Sequence, residues 1–513
     1  MSAARLRIIG SAYRDSLLLL SATRQMREED GVEWAAAVMA LPGNVADLAA
    51  AGFSVHDLDG ADANDLVLAV KAKDDARANA ALDRGGAVLF AKASPAGDGT
   101  VRPAPRTISD ALTRLQSASV AVVSVPGTFA GLAAHQALTA GLHVLLFSDN
   151  VPVEEEIGLK RRANALGRLV MGPGAGTAVL GGVGLGFANA VRGGRVGVVA
   201  AAGTGAQEVM TLLDHWGLGV SHVIGVGGRD LSARVGGLMA ATTVRALDAD
   251  PGTDAILLVS KPPDPAVAAT VVEHARSKPL VAACVGMAAP PSSLRGAVIA
   301  RTLEEGAAAV ARQLGVRVPD LTADLADAVG AAIGRLAPTR TAVRGFYTGG
   351  TLCYEAQVVL TELLGPVYSN IPLAARYGLP APAGAHICLD VGEEEYTRGR
   401  PHPMIDPAAR REIMREQAFG HDVAVVLLDV VLGYGSHPDP AGEIASTCAE
   451  IVRAGAAVVA YVLGTEADPQ GYSGQRARLA DAGAIVTATA ASAARAAAAI
   501  AARQPRLAQL ATS

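Results

Sequence analysis

Aromatic residues make up only 4% of the 513 residues, and tryptophan occurs twice, so the core has to be built from alanine, valine and leucine. Cysteine is also scarce. Cys284, Cys353, Cys388 and Cys448 include no CxxC pair, which excludes a zinc knuckle and a disulfide framework. Neither sign of charge dominates: 44 basic against 49 acidic residues leave −5, which argues against a broad nucleic-acid surface. Long apolar runs are missing as well. The longest uncharged stretch, Gly174–Val191, is broken by glycines, and the N-terminus has no apolar run ahead of a small-residue cleavage site. The expectation is a soluble, cytoplasmic protein with no membrane and no nucleic-acid partner.

What the chain has instead is glycine, 57 residues of it, and an apolar fraction of 50%, enough for several compact domains. Short apolar runs alternate with helix-period stretches, which is the signature of parallel α/β layers. The fold class expected is α/β, with several Rossmann-like or flavodoxin-like parallel-sheet domains and a small N-terminal α/β module. The divisions fall at 1–107, 108–192, 193–315 and 340–513, the last with an insertion at 366–420. In the first module the pattern predicts helix Ser16–Glu28, strand Glu33–Met39, helix Val45–Ala51, strand Asp65–Lys71, helix Asp74–Leu82 and strand Ala87–Phe90. A Pro/Gly-rich linker, Lys92–Thr107, follows. The alanine-rich stretch Ala488–Ala502, interrupted by Arg495, reads as a surface helix.

The third and fourth domains look like copies. Laying AAAGTGAQE over YTGGTLCYE puts Gly203, Thr204 and Glu208 over Gly350, Thr351 and Glu355. Further along, ILLVSKPPDPA is echoed by VLLDVVLGYGSHPDPA, and VAACVG by VVAYVLG.

The candidates for chemistry sit at the ends of these runs. Gly203, Thr204, Gly205 and Gln207 open one helix, and Gly349, Gly350 and Thr351 open its counterpart. Free backbone N–H groups and the helix dipole at such turns attract phosphate or carboxylate, although strand-to-helix turns use glycine for geometry alone. Neither turn is a Walker A loop or a GxGxxG fingerprint. Gly227, Gly228 and Arg229 could present a guanidinium fork to an anion, or form a surface pair with Asp230. Lys261 closes a buried run as an anion clamp or a snorkelling end. The string from Asp390 to Pro407 gathers Arg398, Arg400, His402 and Asp406. His402, between two prolines, is a candidate acid, base or orienting donor, with its ring free to point at a partner; a solvated loop is the alternative. No metal-ligand spacing occurs there. Cys353, inside the second glycine turn, is either a thiol of lowered pKa or core filler.

These residues carry a resemblance. VSVPGTFAG, AGLHVLLFSDNVP, LGRLVMGPGAGT and GRVGVVAAAGTGAQEV resemble the alpha subunit of succinyl-CoA synthetase, and VLLDVVLGYG with VLGTEADP resembles a second ligase-type domain. Over its whole length the chain is similar to the FdrA family, through YRDSLLLLSATRQM, FSDNVPVEEEI, GVGGRDLS, VSKPP, YTGGTL and GRPHPMIDP. The resemblance implies a CoA-binding-like Rossmann half at 108–192 and two ligase-like flavodoxin domains after it. The chain departs from the synthetase pattern at its phosphorylated histidine: Ser292-SLRGAVIA, with Arg295, stands where a GHAGA-like loop is expected, and Lys261 stands in the region of an acidic residue. The FdrA resemblance implies a subunit of an oxamate carbamoyltransferase, which converts oxalurate and phosphate to oxamate and carbamoyl phosphate in allantoin and purine degradation. That chemistry needs other subunits and no cofactor. Under it His402, Arg400 and Lys261 would be catalytic, and the glycine turns, Arg229 and Asp406 would hold the anions. The alternative is an NDP-forming acyl-CoA synthetase subunit using CoA and NDP with Mg2+.

Overall fold

The computed structural model describes residues 3–14, 16–58, 60–90, 104–287, 296–322, 325–397 and 401–509. They form two compact units, one built on residues 1–104 and the other on residues 105–397 and 402–513.

The first unit runs β1 (Ala3–Ile9), α1 (Ser16–Arg27), β2 (Val32–Met39), α2 (Pro42–Ala50), β3 (Leu66–Ala72) and α3 (Asp75–Leu89). Its antiparallel sheet has the order β1-β3-β2, with the apolar β3 in the middle. The strand expected at Ala87–Phe90 is not formed. Those residues up to Leu89 continue α3, which begins on an Asp74 cap and buries Ala78, Ala81, Leu82, Gly85 and Leu89 at helical spacing. A short apolar run fits either period, and packing against α1 decides: Gly85 lies against Met26, which a Cβ there would strike. The expected linker lies over residues 92–103 outside the described residues, and its last residue, Thr107, caps the helix that follows.

The second unit opens with α4 (Ile108–Arg114), β4 (Val120–Val123), α5 (Gly127–Thr139), β5 (His143–Leu146), α6 (Val153–Ala165) and β6 (Val170–Met171), a three-stranded parallel sheet. A hairpin, β7 (Thr177–Leu180) and β8 (Val183–Gly186), crosses to the edge of the next sheet. That sheet continues through β9 (Gly193–Ala201), α7 (Gly203–His215), β10 (Val220–Gly225), α8 (Leu238–Ala249), β11 (Ala255–Ser260), α9 (Pro265–Val272), β12 (Leu280–Cys284), β13 (Val298–Ala300) and α10 (Leu303–Gln313). After α11 (Leu325–Arg335) the third sheet comprises β14 (Ala342–Tyr347), α12 (Gly350–Leu364), β15 (Val367–Tyr368), β16 (His386–Asp390), α13 (Glu394–Thr397), α14 (Ala408–Gln417), β17 (Val423–Val431), α15 (Pro440–Arg453), β18 (Ala457–Leu463), α16 (Tyr472–Asp481), β19 (Ile485–Thr487) and α17 (Ala490–Ala502).

The two larger sheets share one strand order. The shared five strands run β10-β9-β11-β12-β13 in one and β16-β14-β17-β18-β19 in the other, where β15 adds a further parallel edge strand beside β16. In each the first strand is internal, the chain fills the sheet on one side of it before crossing to the other, and it reverses direction there. Ligands of open α/β sheets bind beyond the strand ends at such a reversal. One continuous apolar core joins the sheets through Leu212, Leu213, Leu352, Leu360, Val425 and the alanines of α17. The expected surface helix at Ala488–Ala502 is therefore corrected: α17 is buried along its length, Arg495 included. Alanine lets neighbouring backbones approach closely, and Arg495 is tolerated inside because it meets Glu304.

Candidate functional site

α7 and α12 start immediately after the central strands of the two sheets, and their first turns meet. A Cβ at Gly205 would lie 2.9 Å from Thr351 Cγ2 and 2.9 Å from Val259 Cγ1; a Cβ at Gly349 would lie 2.7 Å from Thr204 Cγ2. Glycine is needed here because neighbouring side chains press on the turns, not because φ is positive. Neither N-cap, Ala202 or Gly349, provides a side-chain acceptor for the first-turn N–H groups. Thr351, 1% exposed, has a hydroxyl with no hydrogen-bond partner. Two helix N-termini thus place positive dipole ends and unused donors at one point.

Three further side chains face that point. Lys261, just beyond β11, lies 3.4 Å from where a Gly350 Cβ would be, and its ammonium sits 5.9 Å from the Tyr354 ring centre. Asp390, at the end of β16, puts Oδ2 against the same position, while Oδ1 accepts the Gly392 N–H at 2.9 Å. Asn370 clamps the Asp390 backbone in both directions, at 2.9 and 3.0 Å. Burial pushes the Asp390 carboxyl up to about 7, against the pull of Lys261, so it changes charge near neutrality. His402 Nε2 lies by the same glycine: a Cβ at Gly392 would be 2.5 Å from it and 3.1 Å from Asp390 Oδ1.

The α12 turn is held from below. Asp429 accepts N–H bonds from Thr348 (2.9 Å) and Gly349 (2.9 Å) and a bond from the Thr348 hydroxyl (3.1 Å). Its charge is matched by the fully buried Arg410, which also donates to the carbonyls of Phe346 and Asp429. The first repeat has Val259 against its own glycine turn and relies on packing.

The structure brings Gly203, Thr204, Gly205, Gly349, Gly350, Thr351, Lys261 and His402 together, and it sends the other candidates elsewhere. Arg229 is not a free anion clamp: it bonds Glu156 (3.0 Å) and the Val151 carbonyl (2.8 Å), beside Lys160, which joins Glu156 and Asp230 at 2.7 Å each. Gly227 packs on Gly172 and Pro173, and Gly228 is exposed beside it. Gln207 points inward to Asn189 (3.1 Å). Asp406 accepts the Ala408 N–H at the start of α14. Arg398, Arg400 and the stretch around Arg295 lie outside the described residues. His402 is not placed as an acid or base, and only its Nε2–H is left for a partner. It faces Phe187, 6.5 Å between centres, and desolvation pushes it down to about 4, so it is neutral. Nδ1 accepts the Met404 N–H (3.2 Å), which leaves the proton on Nε2 as a donor. Cys353 is core filler, because burial raises its thiol pKa well above the usual value instead of lowering it. A cavity of about 110 Å³ lies at the opposite, amino ends of β18 and β19, lined by Ala332, Arg335, Leu336, Val458 and Ile485. It has no part in this cluster.

Sequence reasoning missed Asp390 and Asp429 as site residues. Their signal was present: each is an acid in an otherwise apolar strand, and buried acids are rare unless they have partners or work to do.

Residues 346–500 match the CoA-ligase family model, residues 192–285 the CoA binding domain, and residues 1–105 the AllF heavy metal-associated domain. The uncharacterized protein YahF of Escherichia coli K12 is 39% identical over 491 residues, covering 93% of this chain and 95% of that protein. The chain belongs to the FdrA family. This FdrA-family chain is also 28% identical over 190 residues to the succinate–CoA ligase [ADP-forming] subunit alpha of Methanothermobacter thermautotrophicus, covering 36% of the chain and 63% of that subunit. Among solved structures, the dinucleotide forming acetyl-coenzyme A synthetase 1 of Ca. Korarchaeum cryptofilum is 16% identical, covering 82% of this chain and 90% of that one at a TM-score of 0.30. The metal in the N-terminal family's description does not fit the residues here. Residues 1–105 contain no cysteine, and among the described residues no group of His, Cys, Asp or Glu is placed to hold a metal ion. Among the described residues no helix is long and apolar enough to cross a membrane.

Proposed function

We propose that this FdrA-family chain is the alpha-type subunit of an enzyme that makes or consumes an acyl phosphate, in the manner of an NDP-forming acyl-CoA ligase. One observation carries the reading: two helix N-termini without side-chain caps meet beside Lys261, Asp390 and an unpartnered Thr351 hydroxyl. Backbone N–H groups of α7 and α12 would hold the phosphoryl oxygens, and Lys261 would balance their charge. Thr351 would donate to one oxygen, and Nε2–H of the neutral His402 would orient a second polar group. Asp390, which titrates near neutrality, would take or give the proton as the acyl–oxygen bond forms or breaks. The matches to CoA-ligase and CoA-binding families support CoA and a nucleoside diphosphate with Mg2+ as the other substrates. A further subunit would bind the nucleotide, and the setting is cytoplasmic. The test is CoA- and nucleotide-dependent acyl-CoA formation by the chain with its genomic partner subunits, lost in Lys261→Ala and Gly205→Val. Nucleotide turnover that ignores CoA and every acid offered would end this reading.

A second reading has its own support. No histidine occurs between His274 and His386, so the stretch that carries the phosphohistidine in the synthetases has none. His402, whose Nδ1 is already engaged, is a poor phosphoryl acceptor. An enzyme that moves phosphate without a histidine relay fits carbamoyl transfer: phosphate attacks the carbamoyl carbon of oxalurate, the C–N bond breaks, and oxamate and carbamoyl phosphate leave. This reaction needs small anions and partner subunits, with no nucleotide and no cofactor. Carbamoyl phosphate formed from oxalurate and phosphate alone would decide for it.

A further inference from the structure

Glu208 and Glu355 occupy equivalent places in α7 and α12, and neither has any exposed surface. Each reaches across to the other repeat. Glu208 Oε1 accepts the Ala490 N–H at the start of α17 (3.4 Å), and Glu355 Oε1 accepts the Leu303 N–H at the start of α10 (2.6 Å). The second oxygen of each, Oε2, is buried without a partner. The surrounding charges do not balance the pair. From α10 comes Glu304, already held by Arg495 of α17 at 2.9 Å and by the Thr489 hydroxyl. From β18 comes Tyr461, whose neutral hydroxyl donates toward the Glu208 carboxylate, and from β14 and α16 come Tyr347 and Tyr472, also neutral. The pair and its described charged neighbours therefore amount to three carboxylates and one guanidinium in a dry interior.

We propose that Glu208 and Glu355 share one proton across the two repeats, and that an anion at the helix N-termini above them tightens their hold on it. The reasoning is electrostatic. Glu208 and Glu355 stand one turn beyond Gly205 and Thr351, which touch; two carboxylates so placed cannot both ionise cheaply without water or a free cation, and a single O–H···O bond between them would satisfy both orphaned oxygens. Burial accordingly raises both groups, with Glu355 at about 8. The pair sits five residues inside the helices whose first turns form the anion site, roughly 7–8 Å along the axis. Charge arriving there is felt at the pair with little screening. The coupling half of the proposal rests on the anion-site reading; the shared proton does not.

Infrared spectroscopy of the full chain between about pH 6 and about pH 10 tests both. The expected result is a protonated-carboxyl carbonyl band at neutral pH that titrates well above the usual carboxylate range. It should be reduced in Glu208→Gln and in Glu355→Gln, each measured in an Asp390→Asn background so that Asp390 contributes nothing. Sulfate, whose charge is constant over this range, should move the titration upward by roughly one pH unit. A wild-type band absent at neutral pH, or unchanged in both glutamine variants, overturns the shared proton whatever binds above it. Calorimetry with sulfate separates the remaining failures. Binding heat with an unmoved band overturns the coupling, and no binding heat overturns the anion site and the coupling together.

Discussion

Lys261 is the cation that the structure turns toward the paired helix starts, and Thr351 supplies the unused hydroxyl. Removing a charge-assisted contact to an anion costs about 1.5–3 kcal/mol. Lys261→Met should therefore weaken inorganic phosphate binding by roughly 10- to 100-fold, read by calorimetry, and Thr351→Val by less. Equal affinity in Lys261→Met would remove that side chain from the site. The acids make a different prediction. Asp390 is raised from 3.8 to about 7 and Glu355 from 4.5 to about 8, so the folded state holds more protons than the unfolded state between those values. Their contribution is greatest below the unfolded values and is lost as pH rises through about 7 and about 8. Asp390→Asn and Glu355→Gln should flatten the fall in stability across that window and leave each variant the more stable chain above it, as measured by urea unfolding at stepped pH. A variant that follows the wild-type curve would show that the group is ionised in the fold.

At the scale of elements, the two turns are supported differently, and this has consequences. The α12 turn depends on the Asp429–Arg410 pair, so Asp429→Ala removes three acceptor contacts and leaves a buried guanidinium unpaired. Breaking such a pair costs about 3–5 kcal/mol, which chemical denaturation would register. Asp429→Asn keeps acceptor capacity for the turn and should lose less. The α7 turn depends on the absence of side chains. Gly205→Val would push Thr351 and Val259 apart and should abolish phosphate binding, whereas a Cβ at Gly203 meets nothing within 4 Å, so Gly203→Ala should bind normally. If both substitutions are harmless, the helix starts do not need to touch.

On the scale of the whole molecule, the duplication was legible because each copy repeats strand, glycine turn and helix in one order, and five parallel strands follow the same order in both sheets. The glycine turns and Lys261 could also be read, since each stands where an apolar run ends. Arg229 misled because a guanidinium beside glycines has the same sequence signature whether it faces a ligand or, as here, Glu156. His402 could be read as a donor but not ruled out as an acid or base, because flanking prolines report backbone stiffness and say nothing about Phe187. α17 misled because an alanine-rich helix carries almost no periodic contrast between faces.

Local periodicity and turn chemistry act over a few residues, and so the sequence by itself determined the α/β class, the repeat and the places where helices start. Which carboxyls keep their protons depends on the dielectric and charges supplied by residues far away in the chain, as Glu355 beside Leu303 and Arg495 illustrates through its raised pKa. Only the tertiary structure could decide that the two helix starts meet, that Asp390 and Lys261 face them, and that Glu208 and Glu355 lie buried beneath.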